Sequence, residues 1–336
     1  MKKYVIPIVV KYWQDNWFQQ NQTCIAIKQE SITKDDVSKL IEGHLRKVEN
    51  EDYIEIAFSG IDTEQKEELL EVAYEYLKEK KIDSIKVTTR PDCINKKFLK
   101  MLKKYKIKTI ELEVGSANDY ILKALNIDYS VSEIKKASKA IRWNGFKLGF
   151  QIFVGLPEST KIDDVNTVKT LLKMKPKEIN ITPVLVIKNT PLEKELKDRI
   201  YKPLTIVQAV ETCKEMVKIL NEQGIETIAI GYGILDNDIE QLEIAEEVID
   251  GPFQPSFRNL VESGLWYDAI LNKIKKLNMK VSQVEVTVNP IDVNNVIGYK
   301  QENINNLKET YDVELIITPD EEIKPGKSKI EIVEKT

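Results

Sequence analysis

Short apolar runs alternate with amphipathic stretches along most of the chain. Strand-like runs fall at Tyr4–Val10, Tyr53–Phe58, Ser84–Thr89, Lys108–Val114, Lys147–Val154, Glu178–Val184 and Glu226–Ile230. Between them, apolar residues recur with helical spacing at about 34–48, 63–80, 94–104, 118–125, 131–143, 161–173 and 205–223. Thr33 stands where the first helix needs an N-cap, and Thr63 with Lys66–Glu68 opens the second. Gly145 and Gly224 sit just past two helices, where a left-handed residue is easiest to place. Strand and helix repeated in this order predict parallel pairing through right-handed crossovers. About six such units predict an open or partial barrel, because a closed eight-fold barrel needs two more.

The pattern changes after residue 235. Acidic residues gather at Glu240, Glu243, Glu246, Glu247 and Asp250, and Gly251-Pro252-Phe253-Gln254-Pro255 stops any helix. A helical stretch at Ser256–Leu277 then leads into a small α+β unit: strand Lys280–Val288, helix from Pro290, turn at Gly298, helix Gln301–Thr310, and strands Val313–Thr318 and Lys329–Val333. The expected organisation is an α/β partial barrel over 1–234, a connecting helical segment over 235–277 and the small unit over 278–336.

Composition narrows the chemistry. A chain of 336 residues with 42% hydrophobic and 31% charged residues can bury two cores under a solvated surface. A net charge of -4 argues against wholesale coating of nucleic acid. No run approaches the ~20 apolar residues of a membrane span, and the first apolar run is too short for a signal peptide. A cytoplasmic protein is expected. The single histidine, His44, excludes two-histidine zinc sites, and Cys24, Cys93 and Cys213 provide no C-x-x-C pair. Thirteen glycines are about half the usual ~7%, and neither a phosphate-binding P-loop nor a G-x-G-x-x-G is present, Gly231-Tyr232-Gly233 being the only G-x-G.

Six ordered segments carry a resemblance: Tyr4-Val-Ile-Pro-Ile-Val-Val10, Thr89-Arg-Pro-Asp92, Thr109-Ile-Glu-Leu112, Gly149-Phe-Gln-Ile-Phe-Val-Gly-Leu-Pro157, Pro183-Val-Leu-Val-Ile-Lys188 and Gly251-Pro-Phe-Gln-Pro-Ser-Phe-Arg258. Over roughly residues 4–268 the chain resembles radical SAM proteins, in the branch similar to the catalytic subunit of Elongator in its short bacterial form. The resemblance implies a partial (β/α)6 barrel. It also implies a [4Fe–4S] cluster on a C-x-x-x-C-x-x-C loop after the first strand, with S-adenosylmethionine on its fourth iron.

The residues depart from that pattern where the chemistry would sit. The loop after the first strand reads Lys11-Tyr-Trp-Gln-Asp-Asn-Trp-Phe-Gln-Gln-Asn-Gln-Thr-Cys24, with one thiol. The family's glycine-rich turn after the second strand is shortened to Ser59-Gly60. Its Gly-Val-Gln-Ser is Glu113-Val114-Gly115-Ser116, its Arg-Gly-His-Thr is Ile127-Asp128-Tyr129-Ser130, and a histidine before Pro255 is Gln254. The losses lie at the C-terminal ends of strands, where barrels keep their chemistry. The expectation is a radical-SAM-like barrel that has lost its cluster, uses no cofactor and serves as a binding or regulatory protein rather than an enzyme. The alternative is an active radical SAM enzyme with an unusual cluster ligand set, acting on RNA or a small molecule.

Cys24 and Cys93 fall in loops on one barrel face and are weak metal candidates beside Asp15 or Asp92, with spectator cysteines the blander reading. Cys213 is expected in packing and His44 on the surface. Trp13, Trp17 and Phe18 either fill the barrel mouth or form a binding surface there, with filling the expectation. Lys96, Lys100 and Lys103 share one helix face, with Lys97 and Lys104 beside it, which could meet phosphates or be a solvated surface. Val296-Ile-Gly298-Tyr-Lys300-Gln-Glu-Asn-Ile304 looks like the helix–turn–helix of a KH module, whose GXXG loop clamps a nucleic-acid backbone, although Gln301 replaces the second glycine. RNA through Gly298 and Lys300, or a protein partner, is the expected partner class.

Overall fold

The structure is a computed structural model that describes residues 3–10, 17, 21, 32–48, 53–61, 66–225, 227–231, 245–276 and 281–334. The chain divides into two compact units, Met1–Pro255 and Ser256–Thr336. The helix expected as a connector lies in the second.

The first unit is a six-stranded parallel sheet in sequential order: β1 (Lys3–Val9), β2 (Tyr53–Ser59), β3 (Ser84–Thr89), β4 (Thr109–Gly115), β5 (Lys147–Val154) and β6 (Glu178–Pro183). It is the curled half-barrel of the partial (β/α)6 fold. Helices cross between strands: α1 (Lys34–Leu45), α2 (Glu67–Lys78), α3 (Lys96–Lys104), α4 (Asp119–Ala124), α5 (Val131–Trp143) and α6 (Lys161–Leu172). After β6 come β7 (Val186–Ile187), α7 (Pro191–Lys197), α8 (Ile206–Glu222) and β8 (Val248–Asp250), which pairs antiparallel with β7. Capping boxes at Thr33, Ser130, Thr160 and Thr205 start four of the helices, each satisfying backbone donors that the first turn leaves unpaired. Thr63 lies outside the described residues.

A seventh strand was expected at Glu226–Ile230. Among the described residues that segment contributes one isolated bridge, Ile230 to Ile181. Its backbone is occupied otherwise: the Asn180 side-chain oxygen accepts from the Ile228 and Ala229 amides. A ladder cannot continue where a side chain takes the donors.

Alternation along the strands sets the two faces of the sheet. Ile6, Ile8, Ile56, Phe58, Ile85, Val87, Ile110, Leu112, Phe150, Ile152, Ile179 and Ile181 are fully buried, and burying each such side chain stabilises by about 1.5–3 kcal/mol. Helices cover this face with Ile41, Leu70, Leu102, Ile141, Val168 and Leu171. The intervening residues face the lumen of the half-barrel, and most are polar.

The second unit packs α9 (Phe257–Lys275), α10 (Val293–Ile297) and α11 (Glu302–Tyr311) with a three-stranded sheet ordered β10 (Glu314–Pro319), β9 (Val281–Val288), β11 (Ser328–Glu334). β9 pairs parallel with β10 and antiparallel with β11. Val284, Val286, Val288, Val296, Leu307 and Ile270 form its core. Among the described residues no helix is long and apolar enough to cross a membrane.

Candidate functional site

The lumen of the half-barrel is polar in two layers. The lower layer is a closed network. Lys86 Nζ on β3 lies 2.8 Å from Glu111 Oε2 on β4 and 2.6 Å from Glu178 Oε1 on β6. Thr88 donates to Glu111 Oε1 at 2.9 Å, and Asn180 donates to Glu111 Oε2. Lys3 pairs with Glu55 at 2.9 Å, and Ser84 donates to the other oxygen of Glu55 at 2.8 Å. Gly149 makes this layer possible, since a Cβ there would lie 2.9 Å from Glu178 Cγ. Burial alone would pull Lys86 down, but Glu111 and Glu178 hold it above the ordinary lysine value. Burial leaves Glu178 above the ordinary carboxylate value despite Lys86. Two ammoniums and three carboxylates are thus drawn into one layer across the floor.

The upper layer, at the C-terminal ends of the strands, is different. Ser59, Arg90 and Gln151 are partly exposed there, as is Val9, so the lumen opens toward the mouth. Arg90 forks onto Asp92, with Nε 2.9 Å from Oδ1 and a terminal nitrogen 2.5 Å from Oδ2. Glu113, next to Arg90 in register, is 4% exposed. Among the described residues its Oε1 has no hydrogen-bond partner. Burial pushes the Glu113 carboxyl up to about 7; Arg90 opposes this and Glu111 adds to it. The Tyr129 hydroxyl donates to the Glu113 main-chain carbonyl at 2.9 Å and leaves the carboxyl untouched. A buried carboxyl poised near neutrality at a strand end is the strongest chemical signal in this unit.

Beside the mouth, a cleft of about 450 Å³ is lined by Trp17, Leu125, Leu156, Glu195, Tyr201 and Leu204. Its wall is tied together at Gly155: the Tyr201 hydroxyl donates to the Gly155 carbonyl at 2.6 Å, and the Gly155 amide donates to Asp164 at 3.1 Å. Burial raises Asp164 to about 6, although Ser159 and Gly155 both donate to it.

The residues singled out from the sequence separate widely. Trp17 is buried with Ile121, Leu125, Phe153 and Val184; Trp13, Phe18 and Cys24 lie outside the described residues. Cys93 closes the 3-10 turn Pro91–Cys93 after β3 and is half-buried. Cys213 is fully buried within α8, where burial pushes its thiol up. His44 is half-buried rather than simply on the surface, with Nδ1 3.0 Å from the Tyr4 hydroxyl. On α3, Lys96, Lys97, Lys100, Lys103 and Lys104 are exposed, and Lys104 is 2.7 Å from Glu67. Glu113 and the lumen network went unnoticed in the sequence, although Lys86, Glu111, Glu113 and Glu178 occupy alternate positions of apolar strands.

In the second unit, Gly298 stands between α10 and α11 with φ 87° and ψ 159°. Lys300 and Gln301 both take positive φ, 51° and 64°. A Cβ on Gly298 would lie 2.8 Å from Asn303. The Asn303 side chain donates to the carbonyls of Ser263 and Val296 at 2.9 and 3.2 Å and so locks the turn onto α9 and α10.

Residues 24–171 match the family described as the radical SAM superfamily. The chain carries a radical SAM domain. Its relatives include an uncharacterized protein of Methanocaldococcus jannaschii, 30% identical over 48% of this chain and 51% of that protein. Another is the tRNA uridine(34) acetyltransferase of the same organism, 27% identical over 46% of this chain and 29% of the relative. The chain thus spans about half or less of the curated relatives it matches. Among solved structures, Methanocaldococcus infernus Elp3 lacking its N-terminal residues 1–46 shares the fold, with a TM-score of 0.56, 20% identity, and coverage of 81% of this chain and 64% of that one.

The match corrects one expectation. A chain without the three-cysteine motif was expected to use no cofactor, yet its radical SAM domain belongs to a superfamily whose chemistry rests on [4Fe–4S] and S-adenosylmethionine. Missing thiols bear on how iron is held; they do not bear on strand-end contacts to a nucleoside, which need no thiol. The thiols themselves do not fit a three-thiolate set: Cys213 is in the core, and among the described residues no three His, Cys, Asp or Glu side chains are grouped to hold a metal.

Proposed function

We propose that this chain is an RNA-binding member of the radical SAM superfamily, with the second unit acting as a KH-like grip on the nucleic-acid backbone. The observation that carries this reading is the turn Gly298-Tyr299-Lys300-Gln301. Its backbone runs in positive φ at the first, third and fourth residues. That is the conformation for which a GXXG loop ordinarily needs glycine. Gln301 occupies it with an exposed side chain, and the Lys300 ammonium, also exposed, sits over the Tyr299 ring at 5.2 Å. The turn joins two helices placed between β9 and the parallel β10, the β-α-α-β order of a KH core. Among its relatives are tRNA uridine(34) acetyltransferases, whose name places them on tRNA.

The test is titration of labelled tRNA and single-stranded RNA at ~100 mM salt. This reading expects dissociation constants tighter than ~10 μM, with affinity falling steeply as salt rises. Lys300→Asp should weaken binding several-fold. Failure of both RNAs to bind would leave a protein partner as the better assignment.

The family match favours a second reading, in which the radical SAM domain acts chemically on the bound RNA with iron held by an unusual ligand set. Anaerobic reconstitution with iron and sulfide tests it. About four irons per chain, lost on Cys24→Ala, support it; no retained iron removes it.

A further inference from the structure

Among the described residues the buried Glu113 Oε1 has no hydrogen-bond partner. The lower lumen pairs its carboxylates with Lys3 and Lys86, and Asp92 takes the fork of Arg90. Arg90 at the end of β3 and Glu111 on its own strand act on the Glu113 carboxyl, and Glu113 in turn acts on the buried Tyr129 hydroxyl. Gln151, its partner in register on β5, is uncharged. Arg90 is the one cation among these groups, and its guanidinium fork is taken by Asp92. Buried polar atoms in folded proteins are almost always satisfied, and an exception calls for a missing partner.

We infer that the Glu113 carboxyl receives a primary ammonium group of a small molecule entering the barrel mouth. An ammonium brings both the charge and the hydrogen-bond donors that the unpartnered oxygen lacks. An uncharged group of equal size brings neither. A carboxyl that titrates near 7 when empty must lose its proton to take the cation. Binding therefore releases a proton below neutrality, and apparent affinity rises with pH until the carboxyl is fully ionised. The inference concerns the first unit alone and does not depend on RNA binding by the second.

Calorimetry on the full chain tests it, with n-butylammonium as probe and 1-pentanol as its uncharged counterpart. Butylammonium should bind in the millimolar range (about -4 kcal/mol at 1 mM), and pentanol should give no comparable heat. From pH 6 to 8 the affinity should rise about tenfold, with close to one proton released per ligand at pH 6. Glu113→Gln and Glu113→Gly should each lose tenfold or more at pH 8 and abolish the pH dependence. Equal binding by the variants, equal binding of pentanol, or no binding up to ~50 mM would overturn the inference. Saturating S-adenosylmethionine should leave butylammonium binding unchanged; displacement would assign Glu113 to that molecule and overturn a separate ligand. If the variants do not fold, carbon-detected titration of the wild-type Glu113 carboxyl decides: its midpoint falls with butylammonium present, or the inference fails.

Discussion

Lys86 on β3 reaches across the lumen to Glu178 on β6, Nζ to Oε1 2.6 Å, joining strands 92 residues apart in sequence. Between them stands Glu111, bonded to the same ammonium. The half-barrel is held open-ended by helices outside and closed at its floor by this ion network.

Removing the cation should therefore cost more than removing a surface lysine. Lys86→Met leaves Glu111 and Glu178 buried without their shared cation, and the expected loss is about 3–5 kcal/mol. Urea unfolding followed by the far-ultraviolet signal measures it. A loss below ~1 kcal/mol would mean the network carries no more than an exposed pair.

Glu113 should make stability fall as pH rises. Its folded carboxyl sits at about 7 against 4.5 for an ordinary glutamate, so the folded chain holds a proton that the unfolded chain releases. The contribution is full below pH ~4.5 and is lost as pH climbs through ~7, with an upper size of about 3 kcal/mol. Asp164, raised to about 6, acts in the same direction over a lower window. Glu113→Gln should flatten the upper part of this slope and exceed wild type in stability at pH 8. Unfolding midpoints collected between pH 5 and 8 check the slope.

The six strands and most helices were legible because their outward residues are β-branched or aliphatic and their caps are conventional. The lumen was not. In Ser84–Thr89 and Thr109–Gly115, alternating polar residues ordinarily signal a solvent face, whereas here they mark an enclosed interior that only curvature creates. Gly149 gives no sign in the sequence that its missing side chain is what admits Glu178. Helix α7 escaped notice because seven residues, Pro191–Lys197, give no periodic signal. Gln301 stands where the KH loop has its second glycine, which speaks against close backbone approach; the structure nevertheless holds Gln301 at positive φ, with Asn303 packed beneath Gly298.

Two glycines of the second unit should respond differently to alanine. Gly298 combines φ 87° with a contact of 2.8 Å from its would-be Cβ to Asn303, while Gly326 has φ 73° and nothing within 4 Å. Gly326→Ala should cost about 1 kcal/mol, the backbone term alone. Gly298→Ala should cost more, about 2 kcal/mol or above, because steric overlap adds to it. Thermal melts of the two variants compare them directly, and equal shifts would contradict the packing assigned to Asn303.

The lysine face of α3 offers a separate test of RNA contact. Lys96, Lys100 and Lys103 are exposed along it, whereas Lys104 is engaged with Glu67. Charge reversal of the first three to glutamate should weaken tRNA binding without sequence preference and shallow the salt dependence. Unchanged binding would make this face a solvated surface.

The most direct measurement is the salt dependence of tRNA affinity for the full chain and for Lys300→Asp. The account predicts binding tighter than ~10 μM at ~100 mM salt. It also predicts a slope of log affinity against log salt that falls by about 1 when Lys300 is reversed. Absent binding, or identical slopes and affinities for the two proteins, would contradict it.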